Sequence, residues 1–292
     1  MAKFKSDKKE PSGIMEKLQW LDPFHYVDVF VMPQVKKHTD SKFVEGVINL
    51  LFAGIFAAII YFSLLLISAP YGRHQRKGWG YTVRAKLGWL IMEFPAFSVI
   101  IIFFFAGNRH TNVVAIVFLL MWTTHYFQRT FIFPFMMKGG EKKFPVVLVA
   151  FAIVFNTLNG YVNGRYLFYY SPVYTISWFY DPRFIIGTIF FIGGMVINLY
   201  SDHILRGLRK SSKNGYKIPR RGIFKYISCP NYFGEILEWT GWAIATWSVP
   251  GLAFAVFTMA NLAPRAFANH QWYLENFSDY PKKRKALIPF IK

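Results

Sequence analysis

The sequence predicts an all-α membrane protein with about seven transmembrane helices. Its composition is the first indication, because 54% of the 292 residues are hydrophobic, 20% are aromatic and only 17% are charged, whereas a soluble domain has about 25% charged residues. The second indication is a series of long uncharged runs, comparable with the roughly 20 residues that cross a hydrocarbon core. The third is the net charge of +19, which basic cytoplasmic loops explain without any nucleic-acid partner.

Seven apolar segments are the candidate spans. The first, 46–69, contains no ionisable side chain other than Tyr61. The others are 87–106, 112–137, 144–158, 184–200, 233–249 and 251–268, of which the 144–158 segment is short. With the N-terminus outside, most Lys and Arg residues between spans fall in inner loops, although eight Lys in the first 42 residues oppose this orientation. We therefore expect the basic stretch 206–225 on the cytoplasmic face.

The chain is predicted to comprise an accessory segment, 1–42, and one continuous membrane domain, 43–292. The aromatic part of the accessory segment is interrupted by Glu16, Asp22 and Asp28, so a surface-lying or partly disordered segment is expected rather than a span. Its charged start does not have the pattern of a secretory signal peptide. Cys229 is the only cysteine, which excludes an intrachain disulfide.

Soluble nucleotide-binding and zinc-binding motifs are absent from the sequence. No glycine-rich Rossmann fingerprint follows a strand, and there is no P-loop, HExxH or CxxC pattern. We therefore expect no metal site. Any nucleotide must be held by the membrane helices and their loops.

Ionisable residues inside the apolar segments mark the candidate site, because a charge in the bilayer needs a partner or a wet cavity. Glu93 interrupts the second candidate span, and Pro95 follows two residues later. In the next span His125 and Arg129 are four residues apart, with Tyr126 beside them, so these side chains are predicted to share one helix surface. A structural carboxylate and a His–Arg packing pair are the alternatives.

Polar residues at helical spacing recur in three successive segments of the C-terminal third. The stripes are Asn198, Asp202, Arg206 and Arg209; Asn231, Glu235 and Glu238; and Arg265, Asn269 and Tyr273. A single stripe could be a solvated helix end, but three together indicate a polar cavity. Such a cavity suits an anionic ligand of dinucleotide size, with phosphates paired to Arg209, Lys210, Arg220 and Arg221. The chemistry would occur deeper, at Glu93 and Tyr126, where apolar walls could hold a lipid-like substrate.

The same residues lie in strings that resemble the steroid 5α-reductase family. The strings are MEFPAF, HYFQRTF, NGYVNGRY, SDHILRGLRK, YKIPRRGIFKYISCPNYFGEILEWTGWAIATWSVP and DYPKKRKALIPFIK. The match runs from about residue 43 to 292. It implies seven transmembrane helices around a cofactor and substrate cavity, NADPH as cofactor, and hydride delivery to the β-carbon of a Δ4-3-oxosteroid or a similar flat lipid.

The resemblance also implies roles for individual residues. Glu93 and Tyr126 match the family's catalytic pair, although Met92 stands where the family has Gln. The implied cofactor-binding residues are Asn198, Asp202, Arg209, Tyr216, Asn231, Glu235, Arg265, Asn269 and Tyr273. Asn269 replaces a family His, with His270 adjacent. A Tyr hydroxyl and a protonated Glu would both donate to the enone oxygen while the nicotinamide supplies hydride.

The resemblance further implies a multi-pass protein of the endoplasmic reticulum, or of the cytoplasmic membrane in a bacterium, with its cofactor site on the cytoplasmic side. Membrane lipid is the expected surrounding, and no obligate protein partner is evident. A membrane enoyl or sterol double-bond reductase remains an alternative. So does a small S-adenosylmethionine-dependent methyltransferase, although Ser228-Cys229-Pro230 replaces its usual Arg-His-Pro. A transporter using Glu93 and Arg129 is the third alternative.

Overall fold

The computed structural model describes His74 and residues 77–138, 140–210 and 216–289, without the side chains of Arg209 and Lys210. The predicted accessory segment 1–42 and the first candidate span, 46–69, lie outside the described residues. The helices are α1 (Ala85–Ala106), α2 (Val113–Phe127), α3 (Phe133–Met136), α4 (Val146–Arg165), α5 (Pro182–Lys210), α6 (Pro230–Thr246) and α7 (Val249–Asn276). The strands are β1 (Thr82–Arg84) and β2 (Lys143–Pro145).

The helices agree with the apolar segments of the sequence. A π-helical turn, Gln128–Ile132, joins α2 to α3, so that one nearly continuous helix corresponds to the candidate span 112–137. Among the described residues, four helical segments are long and apolar enough to cross a membrane, namely α1, α4 with the π-helical turn that follows it, most of α5, and α7. A predominantly helical membrane fold is thus confirmed. The exact number of seven spans stays a prediction.

Two features differ from the sequence-based expectation. Strands β1 and β2 pair antiparallel, with Val83 opposite Phe144, and this small sheet holds the starts of α1 and α4 side by side. Helix α4 also continues beyond the span 144–158, to Arg165, and a π-helical turn follows it to Tyr170. The apolar pattern stops early because Asn156 lies near the end of that span and Asn159 and Asn163 follow it, yet all three asparagines are buried inside the protein.

Small residues bring α5 and α6 into backbone contact. A Cβ atom added to Gly194 would lie 2.3 Å from Glu238 N, and one added to Gly241 would lie 2.3 Å from Phe191 N. Gly234 faces Asn198 N at 2.6 Å in the same way. Close approach through small residues is typical of helix pairs in membranes. It allows short polar side chains on these two helices to reach one another.

Glycines also allow α1 and α4 to approach each other, although less closely than α5 and α6. A Cβ atom added to Gly164 would lie 3.0 Å from Phe103 Cβ, and one added to Gly160 would lie 3.2 Å from Val99 Cβ. On the inner side of the bundle, an aromatic core that includes Phe118, Trp122 and Trp239 fills the space between α2 and α6. The polar groups described next are embedded in this apolar frame.

Candidate functional site

Glu93 lies on α1, two residues before Pro95, and is partly buried. Asn156 of α4 donates Nδ2–H to the carbonyl oxygen of Met92 over 2.6 Å and approaches Glu93 Oε2 at 3.4 Å. The amide therefore anchors the backbone beside Glu93 and contacts its carboxyl group. The Met92 side chain does not share this contact, since it packs in a separate apolar cluster with Phe144 and Val149.

Tyr126 lies on α2 and is only 4% exposed. Its ring packs against Trp122, with ring centroids 5.1 Å apart, and against Trp239 at 5.7 Å. Its hydroxyl faces Asn159, and Glu93 is within electrostatic reach. The structure thus brings the two predicted catalytic residues into one neighbourhood, with an aromatic wall behind the tyrosine.

His125 and Arg129 have different partners although the sequence places them four residues apart. His125 Nδ1 lies 2.7 Å from Glu238 Oε1 of α6, and both side chains are buried. Arg129 lies in the π-helical turn, where its guanidinium stacks over Trp89 at 4.7 Å and over Phe133 at 4.8 Å. Because a π turn changes the angular spacing of side chains, α-helical periodicity no longer applies beyond Phe127.

The stripes predicted on α5 and α6 face each other and are joined by hydrogen bonds. Asn198 Nδ2 donates to the Asn231 carbonyl oxygen over 3.0 Å and to Glu235 Oε2 over 3.3 Å. Asn231 Nδ2 donates to Asp202 Oδ1 over 3.2 Å. Four of the predicted cofactor-binding residues therefore form one network, which we call the α5–α6 network.

The predicted residues on α7 are less closely joined to this network. Asn269 Oδ1 lies 3.2 Å from His74 Nε2, and Asn269 Nδ2 lies 3.4 Å from Tyr232 Oη. Tyr273 is buried and stacks on Tyr280, with the ring planes 7° apart. Arg265, one turn before Asn269 on α7, is partly buried.

The two remaining predicted cofactor residues are Tyr216 and Arg209. Tyr216 packs edge-on against Trp272 at 5.1 Å. Arg209 lies in the last turn of α5, and its side chain and that of Lys210 are not among the described parts of the structure.

Tyr280 closes the C-terminal end of the site. Its hydroxyl and the Ser228 hydroxyl are 2.6 Å apart, and Ser228 Oγ also lies 2.6 Å from His270 Nδ1. Burial raises the pKa of Tyr280, and hydrogen bonds with Ser228 and Arg284 partly oppose that shift. The phenol is therefore held in its neutral form.

Arg129 and Glu235 connect the deep pair with the α5–α6 network. Both lie within electrostatic reach of Glu93 and Tyr126, and both also lie within reach of Asp202. The sequence suggested two separate groups of polar residues. In the structure they form one largely buried polar cluster on α1, α2 with its π-helical turn, α5 and α6.

The donors and acceptors of this cluster fit a dinucleotide. Asn198, Asp202 and Asn231 offer amide and carboxylate groups suited to hydroxyls, and Arg206 has a buried Nη1 without a hydrogen-bond partner among the described residues. An unpaired buried guanidinium nitrogen favours an anion such as phosphate. In the described part of the chain no three His, Cys, Asp or Glu side chains are arranged to hold a metal ion.

The sequence-based selection missed a polar stripe on α4. Asn156 contacts Glu93, Asn159 faces Tyr126, and Asn163 bonds to Asn159. The signal was available, because the three asparagines follow one another at steps of three and four inside an apolar helix. Asparagine carries no charge, so this stripe does not stand out among the ionisable side chains that mark the other candidate residues.

An apolar helical bundle with buried carboxyl, guanidinium and phenol groups has the features of a membrane-embedded enzyme. A family model described as 3-oxo-5-alpha-steroid 4-dehydrogenase matches residues 142–292. The chain is 42% identical over 250 residues to steroid 5-alpha-reductase DET2 of Arabidopsis thaliana, covering 84% of this chain and 94% of that protein. It is 45% identical over 240 residues to 3-oxo-5-alpha-steroid 4-dehydrogenase 1 of Bos taurus, covering 80% and 91% respectively.

The protein is thus a membrane-bound oxidoreductase by class. The chain belongs to the 3-oxo-5-alpha-steroid 4-dehydrogenase family, the steroid 5α-reductases.

Proposed function

We propose that the protein reduces the Δ4 double bond of a 3-oxosteroid to the 5α-reduced ketone with NADPH as hydride donor. The observation that carries the proposal is the buried cluster in which Arg129 and Glu235 link Glu93 and Tyr126 to the α5–α6 network. One end of the cluster has the groups for a polar dinucleotide. The other end is enclosed by aromatic side chains suited to a flat apolar substrate.

Glu93 and Tyr126 are the proposed electrophilic pair. A conjugated ketone accepts hydride at its β-carbon only when the charge that develops on the carbonyl oxygen is stabilised. Tyr126 and the neutral form of Glu93 would each donate a hydrogen bond to that oxygen. Asn156 holds the backbone beside Glu93, and the aromatic wall excludes water from the phenol.

The proposed cofactor residues are the α5–α6 network together with Arg209, Tyr216, Arg265, Asn269 and Tyr273. When bound, NADPH would supply the hydride. The chain would orient it through Asn198, Asp202, Asn231 and Glu235, and would pair its phosphates with the basic residues after Asp202. Basic residues concentrate in inner loops, so we propose that this end of the cavity opens to the cytoplasm, in the endoplasmic reticulum if the cell is eukaryotic.

An NADPH-oxidation assay with purified full-length protein and testosterone or progesterone tests the proposal. Glu93→Gln and Tyr126→Phe are expected to lose most turnover while NADPH still binds. Thr123→Val is the matched control, because among the described residues the Thr123 hydroxyl bonds only within α2, to the Leu119 and Leu120 carbonyl oxygens. Wild-type turnover in either substituted protein would remove that residue from the catalytic pair. Substrate-independent binding of S-adenosylmethionine without NADPH oxidation would instead favour a methyltransferase.

A further inference from the structure

A chain of hydrogen-bonding side chains runs from α6 through α4 towards Tyr126. Trp242 donates Nε1–H to Asn163 Oδ1 over 3.1 Å. Asn163 donates from Nδ2 to Asn159 Oδ1 over 3.0 Å. Asn159 faces the Tyr126 hydroxyl. All four side chains are at least nine-tenths buried, so water does not compete with these contacts.

The direction of this chain is fixed at its far end. An indole N–H can only donate, so Asn163 must turn its oxygen to Trp242 and its nitrogen to Asn159. The same constraint passes to Asn159, whose oxygen accepts from Asn163 and whose Nδ2 is left facing the phenol. Amide orientation is ordinarily assigned from the surrounding network, and here a donor-only group determines both asparagines.

Asn159 Nδ2 is a buried donor that completes no hydrogen bond within the described residues. Leaving such a donor without an acceptor is unfavourable. The phenol oxygen of Tyr126 is the acceptor that it faces. A donor at this place can bond to the phenol oxygen and leave the phenol O–H free to donate to another group.

We propose that Asn159 is a positioning residue for Tyr126, whose phenol oxygen accepts from Asn159 Nδ2 so that the phenol proton points away from α4 towards the substrate carbonyl. The inference rests on the proposed catalytic role of Tyr126. A hydroxyl that accepts a hydrogen bond becomes a stronger donor through cooperativity. Asn159 therefore acts through Tyr126 and requires no contact with substrate or cofactor.

The test compares single and double substitutions in the purified full-length protein. Asn159→Leu keeps the branched side-chain outline but removes the donor, together with the Oδ1 acceptor for Asn163, and it is expected to lower kcat with testosterone about tenfold, the effect of one hydrogen bond. The KM for NADPH should change by less than about twofold. In the Tyr126→Phe background, single-turnover rates should show no further loss from Asn159→Leu, because the acceptor is already absent.

Two more variants separate positioning from packing. Asn159→Asp keeps the shape and the acceptor for Asn163 but places an acceptor opposite the phenol, so kcat should fall at least as far as in Asn159→Leu. A purely structural asparagine would be rescued by this substitution. Trp242→Phe removes the anchoring N–H together with one ring of a fully buried indole, so its melting temperature is measured beside its rate, and kcat should fall by less, about threefold.

The outcomes distinguish a failure of the role of Asn159 from a failure of the proposed function. Equal losses from Asn159→Leu in both backgrounds, or wild-type kcat in Asn159→Asp, would overturn the role of Asn159 alone. Wild-type kcat in Tyr126→Phe would overturn the proposed function on which the inference rests. Should Asn159→Leu not fold, the Asn159→Asp and Trp242→Phe rates decide the question.

Discussion

His125 Nδ1 and Glu238 Oε1 lie 2.7 Å apart in a fully buried contact that joins α2 to α6. The pair is adjacent to Tyr126 on one helix and to Trp239 on the other. It fixes the helix that carries the proposed catalytic tyrosine against the helix that carries half of the α5–α6 network. Its role in this arrangement is to hold two parts of the site in register.

Removing one partner of this pair is expected to destabilise the protein. Glu238→Ala leaves His125 Nδ1 buried without an acceptor and should cost about 3 kcal/mol of unfolding free energy. Glu238→Gln keeps an oxygen acceptor and should cost less. Glu141→Ala is the control, because its ion pair with Arg84 is exposed and contributes little. Thermal unfolding in detergent measures all three, and equal stability of Glu238→Ala and the wild type would contradict the expectation.

A second prediction concerns the close contact of α5 and α6. Gly194→Ala places a methyl group against the Glu238 backbone, so it should separate the two helices, lower the melting temperature and weaken NADPH binding. Gly193→Ala is a matched control one residue away, where an added Cβ atom meets no atom of the described residues within 4 Å. Alanine there should leave stability unchanged or slightly higher. Similar behaviour of the two variants would show that the close approach is unimportant.

The third prediction addresses cofactor binding directly. Asp202→Ala removes the acceptor for Asn231 and a group that the proposed dinucleotide contacts, so NADPH affinity should fall about tenfold, the equivalent of about 1.4 kcal/mol. Arg209→Ala should weaken NADPH binding as well. Asp181→Ala is the control, because Asp181 pairs with Arg183 at the opposite end of α5. Fluorescence titration with NADPH reports affinity, and unchanged affinity in Asp202→Ala would place the cofactor elsewhere.

A fourth prediction concerns alkaline pH. The pKa of Tyr280 is raised in the folded protein by burial, so the folded state holds this proton at a pH where the unfolded chain releases it. The stability that results is complete below the unfolded value of about 10 and is lost as the pH rises through the folded value. Tyr280→Phe should therefore make the loss of stability above about pH 10 less steep. An identical pH dependence of melting in both proteins would exclude this role for Tyr280.

Much of the fold follows from the sequence alone. Solvation in lipid restricts a chain to apolar helices of a certain length, so the runs at 87–106 and 112–137 already located α1 and the helix of α2 and α3. The steps of four residues on α5 and α6 also predicted that the stripes containing Asn198 and Asn231 line a polar cavity. Helical periodicity depends only on residues close together in the chain, so the amino-acid sequence is sufficient to show it.

Other features depend on contacts between distant residues. The sequence placed His125 beside Arg129, but the structure pairs His125 with Glu238, more than one hundred positions away, and a π-helical turn moves Arg129 onto Trp89. The placement of Asn159 beside Tyr126 likewise depends on how α4 and α2 approach each other. No local pattern reports such crossings, since they are set by which helix surfaces pack closely.

The sequence by itself determined that the protein is a helical membrane protein and which polar residues interrupt its apolar segments. Only the tertiary structure decided that Glu93, Tyr126 and the α5–α6 network form a single buried cluster. The physical reason is that hydropathy and spacing depend on neighbours along one helix. Close approach at Gly194, Gly234 and Gly164 depends instead on the shape of the opposing helix.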